Sequence, residues 1–332
     1  MNKTVENIIM SFLNKYNFLK YVVASCAILA IATMSISYSS YIDKKIVSKQ
    51  EFFKPIIDKL LNSGVDSIFI YKLLENPDVK FEDKFVKINV TGYLNKADYT
   101  KFYDNSSISA TRSFISENYE LLKNAELKYN VSIEVIASIL WIETRHGKFL
   151  GKSNIASVFF STAMCAEQQF IDLNKKQIRE MSDISSDKYN ELDNKIQQRA
   201  IKKSNWAINE IIALYKMQRV SPIPIETIFG SWAGAFGMSQ FLPSSYISWA
   251  VDGNNDGKIN LYDKEDAIFS VANYLSSNGW SDNNESKRKA VFHYNNSNDY
   301  VNAVLTLASK SKYRVISKPL QEQIEELDYH GE

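Results

Sequence analysis

Apolar residues recur three and four positions apart through most of the chain, and this spacing predicts α-helices. The clearest segments are 53–61, 68–74, 113–129, 206–215, 266–275 and 300–308. Phe85 to Val90 instead alternates as a strand would, which predicts one short strand. The pattern as a whole predicts a mainly α-helical protein.

The segment from Asn130 to Gly151 is predicted to form one helix with a carboxylate on its apolar face. The apolar stripe of this helix consists of Val135, Ile136, Ile139, Leu140 and Ile142. Glu143 follows the last members of the stripe at helical spacing, so its side chain points the same way as theirs. Ser132 is placed to cap the start of the helix and Gly147 to end it. Glu143 is therefore expected in the last turn.

Glu143 is a candidate general acid. A carboxyl group among aliphatic side chains keeps its proton at a pH where a solvated one has lost it, because burial penalises the charged form. Cleavage of a glycosidic bond needs such a proton donor. The alternative is a solvated Glu143 that pairs with Arg145 or His146 at the helix end. The pattern alone does not separate the two interpretations.

Residues 21–42 contain no charged side chain and are almost wholly apolar or small between Tyr21 and Ile36. A run of this length is typical of a membrane segment. We therefore assign residues 1–43 to an N-terminal membrane anchor or signal segment. Three interpretations stay open, namely an uncleaved signal-anchor helix, a signal peptide cut near Ser37 or Ser39, and a lipoprotein signal ending at Cys26.

The rest of the chain is predicted to contain two folded regions and a tail. They are an N-terminal mainly helical subdomain at 44–112, a catalytic core at 113–316 and a polar tail at 317–332. The core carries a charged helical insertion at about 167–205, where acidic and basic residues alternate. This insertion is a possible docking site for a protein partner.

The composition excludes several classes of function. The 332 residues are 45% hydrophobic and 23% charged, which is typical of a globular protein. Because the formal net charge is only +1, no basic field exists to bind nucleic acid. The two cysteines provide neither a disulfide framework nor a cysteine-based metal site.

A second candidate segment runs from Gly230 to Tyr246. Its three glycines at 230, 234 and 237 let the backbone approach a neighbour or a ligand closely. Ser231 and Gln240 offer hydrogen-bonding groups among aromatic residues, a mixture that suits a cleft for sugar rings. A tight helix crossing is the alternative interpretation. Tyr294 and Asn295 form a further polar cluster, whose alternative role is to cap the helix that follows.

Residues 252–263 fit the pattern of an EF-hand calcium loop. Side-chain oxygens stand at positions 1, 3, 5, 9 and 12, on Asp252, Asn254, Asp256, Asn260 and Asp263, while Lys258 would supply its carbonyl oxygen. Gly257 stands at position 6, where the loop turns sharply. We predict one structural Ca²⁺ that takes no part in catalysis. A polar turn that happens to fit is the alternative, and a calcium sensor is disfavoured because sensors usually pair their loops.

Several motifs occur in a fixed order in the chain. They are Glu143-Thr-Arg-His-Gly147 with Gly151-Lys152, the segment from Gly230 to Tyr246, Val251 to Asp263, Ser270 to Leu275, and Tyr294-Asn-Asn-Ser297 with Tyr300-Val301. Together they resemble the membrane-bound lytic murein transglycosylase B family. The resemblance extends from about Glu51 to Lys310. It departs at Trp232, Phe236 and Leu242, where the family usually has Tyr and two Met. The resemblance implies a lysozyme-like helical core that includes the calcium loop, Glu143 as the catalytic acid, and a cleft with Ser231, Gln240, Tyr294 and Asn295.

The resemblance also implies a peptidoglycan lytic transglycosylase of the bacterial cell envelope, with its catalytic domain on the extracytoplasmic side. Such an enzyme cleaves the β-1,4 bond between N-acetylmuramic acid and N-acetylglucosamine and leaves a 1,6-anhydromuramic acid end. Two alternatives are a hydrolytic muramidase and a non-catalytic peptidoglycan-binding or scaffold protein. Residues 21–42 would attach the protein to the membrane if they are not cleaved.

Overall fold

The computed structural model describes residues 49–91, 98–180 and 186–312. The chain divides into two units, residues 1–54 and 55–332, and the second contains every residue of the candidate site. The predicted anchor or signal segment at 1–43 and the predicted tail at 317–332 lie outside the described residues. Within the described ranges, no helix is long and apolar enough to cross a membrane.

The described residues are mainly α-helical, as predicted. The helices of the first half are α1 (Lys54–Asn62), α2 (Ser67–Glu75), α3 (Asp83–Thr91), α4 (Asn105–Glu117), α5 (Tyr119–Tyr129), α6 (Ile133–Thr144) and α7 (Ile155–Ala163). Those of the second half are α8 (Gln168–Glu180), α9 (Ser186–Met217), α10 (Pro243–Trp249), α11 (Lys264–Ser277), α12 (Asn284–Tyr294) and α13 (Asn298–Lys310). Two short strands, β1 (Ser153–Asn154) and β2 (Phe229–Gly230), pair antiparallel.

Helix α6 lies at the centre of one group of helices, with α4, α5, α11 and α13 packed against it. Every residue of α6 is buried except Glu134 and Glu143, because the helix is apolar around almost its whole circumference. Helix α7 is buried along its entire length and packs against α3 and the long helix α9. The β1–β2 pair joins the segment that leaves α6 to the glycine-rich segment.

The predicted strand at Phe85 to Val90 is wrong, because these residues form helix α3. Phe85, Val86, Asn89 and Val90 are all buried, a spacing that lies on one side of a helix. The Asn89 side chain donates to the Phe85 carbonyl oxygen and to the Thr162 hydroxyl of α7. The pattern that looked like the alternation of a strand is therefore one face of a helix that includes the buried side-chain amide of Asn89. The predicted helix over 113–129 also divides into α4 and α5, with Asn118 between them.

Polar caps determine where several helices begin. The side chains of Asp66, Asp104, Asn154, Asn283 and Ser297 accept hydrogen bonds from backbone amides in the first turns of α2, α4, α7, α12 and α13. These bonds satisfy amides that have no partner within the helix. A buried carboxylate supports α10 from outside, since Glu210 of α9 accepts hydrogen bonds from the backbone amide and the hydroxyl of Ser244.

Candidate active site

Glu143 occupies the last turn of α6, as the sequence predicts. The helix ends at Thr144 with Arg145 as its C-cap, so the predicted stop at Gly147, as the residue after the cap, lies one residue too far along the chain. Arg145 takes the left-handed conformation at the helix end, with a φ of 53°, and His146 and Gly147 follow at 56° and 88°. The chain therefore turns sharply away directly after Glu143. Glu143 is thereby half-buried at the end of a helix in which only Glu134 is similarly exposed.

A tyrosine from the far end of the chain contacts this carboxyl group. The hydroxyl of Tyr300, on α13, donates a hydrogen bond of 2.6 Å to Oε1 of Glu143. Burial raises the pKa of Glu143 from its ordinary value of 4.5 to about 7, and the hydrogen bond from Tyr300 opposes part of that rise. Glu143 is thus protonated up to nearly neutral pH. Among the described residues, no other acidic side chain contributes to the pKa shift of Glu143.

Aromatic rings surround the pair. Tyr294 stacks parallel to Tyr300 with their ring centroids 6.4 Å apart, and Tyr99 meets Tyr300 edge-on at 5.7 Å. A side-chain hydrogen bond joins Tyr99 to Asn295. Burial and the nearby Glu143 raise the pKa of all three tyrosines, so their hydroxyls stay protonated at neutral pH. The carboxyl group of Glu143 therefore has three neutral tyrosine side chains near it.

The alternative in which Glu143 pairs with Arg145 or His146 does not describe the structure. The Arg145 guanidinium lies 4.6 Å from the ring centroid of Phe102 and 4.4 Å from that of Trp141. His146 stacks on Phe114, with a centroid distance of 3.9 Å, and its Nε2 lies 3.0 Å from the Ala137 carbonyl oxygen. Burial lowers the pKa of His146 to about 4, so it is neutral at pH 7. Both side chains point to partners other than Glu143.

The glycine-rich segment packs against the end of α6. The buried hydroxyl of Thr144, next to Glu143, donates to the carbonyl oxygen of Met238 at 2.9 Å. A Cβ atom on Gly234 would lie 2.2 Å from the ring of Phe159, and one on Gly151 would lie 2.0 Å from the Gly230 carbonyl oxygen. The glycines thus serve close packing of the backbone, but not the helix crossing of the alternative interpretation, because residues 231–242 form turns and not a helix. The same packing holds the segment beside Glu143.

Ser231 and Gln240 use their side chains within this segment. The Ser231 hydroxyl accepts a hydrogen bond from the Ala235 amide, and the Gln240 side-chain amide donates to the carbonyl oxygens of Gly237 and Leu150. Both side chains remain partly exposed. They therefore shape the loop that flanks Glu143, and each keeps polar atoms available for further hydrogen bonds.

Tyr294 lies near Glu143 at the end of α12, and Asn295 follows it as the C-cap of the helix. The Tyr294 hydroxyl donates to the Ser239 carbonyl oxygen of the glycine-rich segment at 2.5 Å. The alternative in which this cluster caps α13 is wrong, because the Ser297 hydroxyl accepts from the Tyr300 amide and takes that role. The structure thus brings Tyr294 close to Glu143 and places Asn295 against Tyr99, with Ser231 and Gln240 in the glycine-rich segment.

The sequence analysis did not assign two residues of this site, Tyr99 and Tyr300, to it. Tyr300 begins an apolar helical stripe and is 1% exposed, so its pattern is that of an ordinary core residue. Tyr99 precedes a short 3₁₀ helix, Thr100–Phe102, in a segment without periodicity. The residue type was the one available signal at both positions, because the hydroxyl of a buried tyrosine needs a hydrogen-bonding partner.

The loop 252–263 folds through hydrogen bonds that its backbone amides donate to its own side-chain oxygens. Asp252 accepts from the amides of Asp256 and Gly257, and Gly257 has a φ of 82°. The remaining side-chain bonds are from the Asp256 amide to Asn254, from the Lys258 amide to Asp256 and from the Tyr262 amide to Asn260. The Asp263 side chain makes no capping bond, although the residue precedes α11. In the described part of the chain, no group of three or more His, Cys, Asp or Glu is arranged to hold a metal ion.

The side chain of Asp266, on α11, holds this loop in place. The sequence analysis did not identify this residue. Its carboxylate is buried and accepts the amides of Gly253 at 2.8 Å and Asn260 at 2.6 Å. Burial raises its pKa, and repulsion from Asp252 and Asp263 raises it further. The loop is therefore held to α11 with several carboxylates near one another. Oxygen donors and a left-handed glycine at position 6 suit a hard cation such as Ca²⁺.

Comparison with known proteins places this geometry in a family. A family model described as the transglycosylase SLT domain matches residues 48–291. The membrane-bound lytic murein transglycosylase B of Escherichia coli K12 is 29% identical over 184 residues, which are 54% of this chain and 40% of that protein. The chain thus matches about two fifths of the length of this curated relative.

Solved structures share the fold. The Escherichia coli lytic transglycosylase Slt35, in complex with calcium, is 21% identical with a TM-score of 0.59 and covers 78% of this chain and 92% of its own. SltB3 from Pseudomonas aeruginosa, in complex with NAG-NAM-pentapeptide, is 18% identical with a TM-score of 0.59 and covers 84% and 86%. These likenesses confirm the predicted lysozyme-like helical core. Because the family model spans well over half of the chain, this protein belongs to the transglycosylase SLT domain family, in agreement with its motifs.

Proposed function

We propose that this protein is a peptidoglycan lytic transglycosylase with Glu143 as its single catalytic acid and base. The observation that carries the proposal is a carboxyl group whose burial raises its pKa to about 7 and whose Oε1 is held by the Tyr300 hydroxyl. Since one oxygen accepts this hydrogen bond, the other is the one to carry the proton. That oxygen is then free to protonate a glycosidic oxygen.

The reaction needs no second carboxylate. Glu143 donates its proton to the oxygen that leaves with N-acetylglucosamine, and the bond from that oxygen to C1 of N-acetylmuramic acid breaks. The resulting carboxylate takes the proton of the muramoyl 6-hydroxyl, whose oxygen forms the new bond to C1. The product is a 1,6-anhydro ring, Glu143 is again protonated, and no water is consumed. Among the described residues, no other acidic side chain influences the pKa of Glu143, which supports a route with a single carboxylate.

Ser231, Gln240, Tyr294 and Asn295 are proposed to form the sugar-binding cleft. Tyr294 lies near Glu143, Asn295 is the next residue, and both are partly exposed. Ser231 and Gln240 stabilise the glycine-rich segment. Flat aromatic faces with a few polar groups suit sugar rings. The NAG-NAM-pentapeptide bound to the similar SltB3 supports peptidoglycan as the substrate.

We also propose that the loop 252–263 binds one structural Ca²⁺. Asp252, Asn254, Asp256 and Asp263, with the Lys258 carbonyl and Asn260, would hold the ion. Asp252 and Asp263 repel the carboxylate of Asp266, and a bound cation would relieve that repulsion. The calcium bound to the similar Slt35 supports the proposal. Calcium would stabilise the core and would supply no step of the reaction.

The proposed place of action is the bacterial cell envelope, on the extracytoplasmic side. The name of the Escherichia coli relative, a membrane-bound lytic murein transglycosylase, supports it. Attachment through residues 21–42 and a protein partner on residues 167–205 remain predictions. Residues 167–205 contain α8 and residues 186–205 of α9.

Replacing Glu143 by Gln tests the proposal, because the amide keeps the shape of the side chain and removes the proton. We expect E143Q to lose at least about 100-fold in cleavage rate on purified peptidoglycan while it still sediments with the polymer. Equal cleavage by the variant and the wild type would reject the catalytic role. Binding without cleavage by the wild type would favour the scaffold alternative.

A further inference from the structure

Arg145 occupies a backbone conformation that its residue type does not favour. Its φ of 53° is left-handed, a region where glycine and asparagine are preferred because other side chains crowd the backbone. Such residues persist when their side chains make compensating contacts, and they concentrate at functional sites. The contacts of the Arg145 side chain therefore indicate what the conformation is for.

The Arg145 guanidinium lies between two aromatic rings. It stands 4.4 Å from the ring centroid of Trp141, on its own helix, and 4.6 Å from that of Phe102. Its Nη1 also donates to the Ser107 hydroxyl at 3.4 Å, and Asp104 attracts it electrostatically. Phe102, Asp104 and Ser107 all belong to the stretch that follows Tyr99. The side chain thus links this stretch to the end of α6.

The link continues through aromatic contacts to the carboxyl group. The Phe102 ring lies 5.8 Å from that of Tyr99, and the edge-on contact of Tyr99 with Tyr300 spans 5.7 Å. Tyr300 in turn donates its hydrogen bond to Glu143. Arg145 and Glu143 are therefore connected twice, through the backbone of α6 and through Phe102, Tyr99 and Tyr300.

We propose that Arg145 is a positioning residue that clamps the segment 99–107 onto α6, so that Tyr99 covers Tyr300 and shields Glu143 from water. The inference rests on the proposed function of Glu143. Three tyrosines, Tyr99, Tyr294 and Tyr300, face the carboxyl group, and Asp104 is the charged group that faces Arg145. Loosening the clamp would admit water and ease ionisation of Glu143.

The sharpest variant is Arg145→Asn, because asparagine accepts the left-handed conformation and cannot stack between the rings. We expect kcat to fall about tenfold at pH 7 and the basic limb of the pH profile to move below pH 7, with KM little changed and the melting temperature retained. Arg145→Lys keeps the charge without the planar stack and should restore only part of the activity. His146→Asn, in the same turn with a φ of 56°, is the matched control and should leave the basic limb in place.

Tyr99→Leu provides a second route to the same result if Arg145→Asn folds poorly. The double variant should be no slower than Tyr99→Leu alone, because both changes act through the same contact. Two results for Arg145→Asn would overturn the inference: a kcat and a basic limb like those of the wild type, or a loss of activity without movement of the basic limb. In either case an inactive E143Q would still support the proposed function. An active E143Q would overturn both.

Discussion

The hydroxyl of Tyr300 donates its hydrogen bond to Glu143 across 157 positions of the chain, at 2.6 Å. The contact joins α13 to α6, two helices that pack along each other in the core. It fixes the orientation of one carboxylate oxygen and leaves the second to exchange a proton with the substrate. The proposed chemistry depends on this arrangement.

Tyr300→Phe should move the basic limb of the pH–activity profile upward by about one pH unit, because the lost hydrogen bond favours the ionised carboxylate. The maximal rate should fall about tenfold, since Glu143 loses its orientation. The measurement is the rate of peptidoglycan cleavage between pH 5 and 9. Tyr246→Phe is the matched control, because that buried hydroxyl bonds to the Ile259 carbonyl oxygen. A downward shift in Tyr300→Phe would contradict the assignment.

Glu143 should also make the stability of the protein depend on pH. Its folded pKa is raised, so the wild type keeps its full stability below about pH 4.5 and loses part of it as the pH rises to about 7. The rise corresponds to about 3 kcal/mol of unfolding free energy. E143Q carries no such charge and should be more stable than the wild type at pH 8 and similar to it at pH 4. Urea unfolding at both pH values measures the difference, and equal stability at pH 8 would mean that the carboxyl group is solvated.

The sequence predicted the parts of this site that follow from local periodicity. Glu143 is a charged residue at a position where helical spacing predicts an apolar one, so the pattern alone singles it out. Tyr300 shows no such departure, because its hydroxyl is the only polar atom in a core pattern and its partner is distant in the chain. Arg145 could not be placed either, since a charged residue at a helix end usually lies in solvent. The strand predicted at Phe85 to Val90 failed because the buried Asn89 counted as a polar, exposed position.

Gly234 should tolerate no side chain. A methyl group there would meet the Phe159 ring, and the φ of 82° is left-handed. We expect Gly234→Ala to reduce the unfolding free energy by about 2 to 4 kcal/mol, from backbone strain and overpacking together. Gly279 has a φ of 86° with open space around it, so Gly279→Ala isolates the backbone cost of about 1 kcal/mol. Similar losses in the two variants would show that packing around Gly234 is loose.

Calcium should raise the melting temperature of the full-length protein. A ligand that binds only the folded state stabilises it by about 2.7 kcal/mol at a hundredfold excess over its Kd. Asp256→Ala should abolish the rise and leave Glu143-dependent cleavage measurable at low temperature. The comparison is a thermal melt in calcium and in chelator. An identical melting temperature in both would contradict calcium binding by the loop 252–263.

The products of peptidoglycan digestion test the central claim most directly. Purified peptidoglycan is digested with the wild type, and E143Q serves as the control for contaminating activity. The soluble fragments are then analysed by mass spectrometry. A lytic transglycosylase leaves 1,6-anhydromuramic acid ends, which are lighter by one water molecule than the reducing ends left by hydrolysis. We predict anhydro ends with the wild type and none with E143Q. Reducing ends alone would contradict the single-carboxylate mechanism and identify a hydrolytic muramidase.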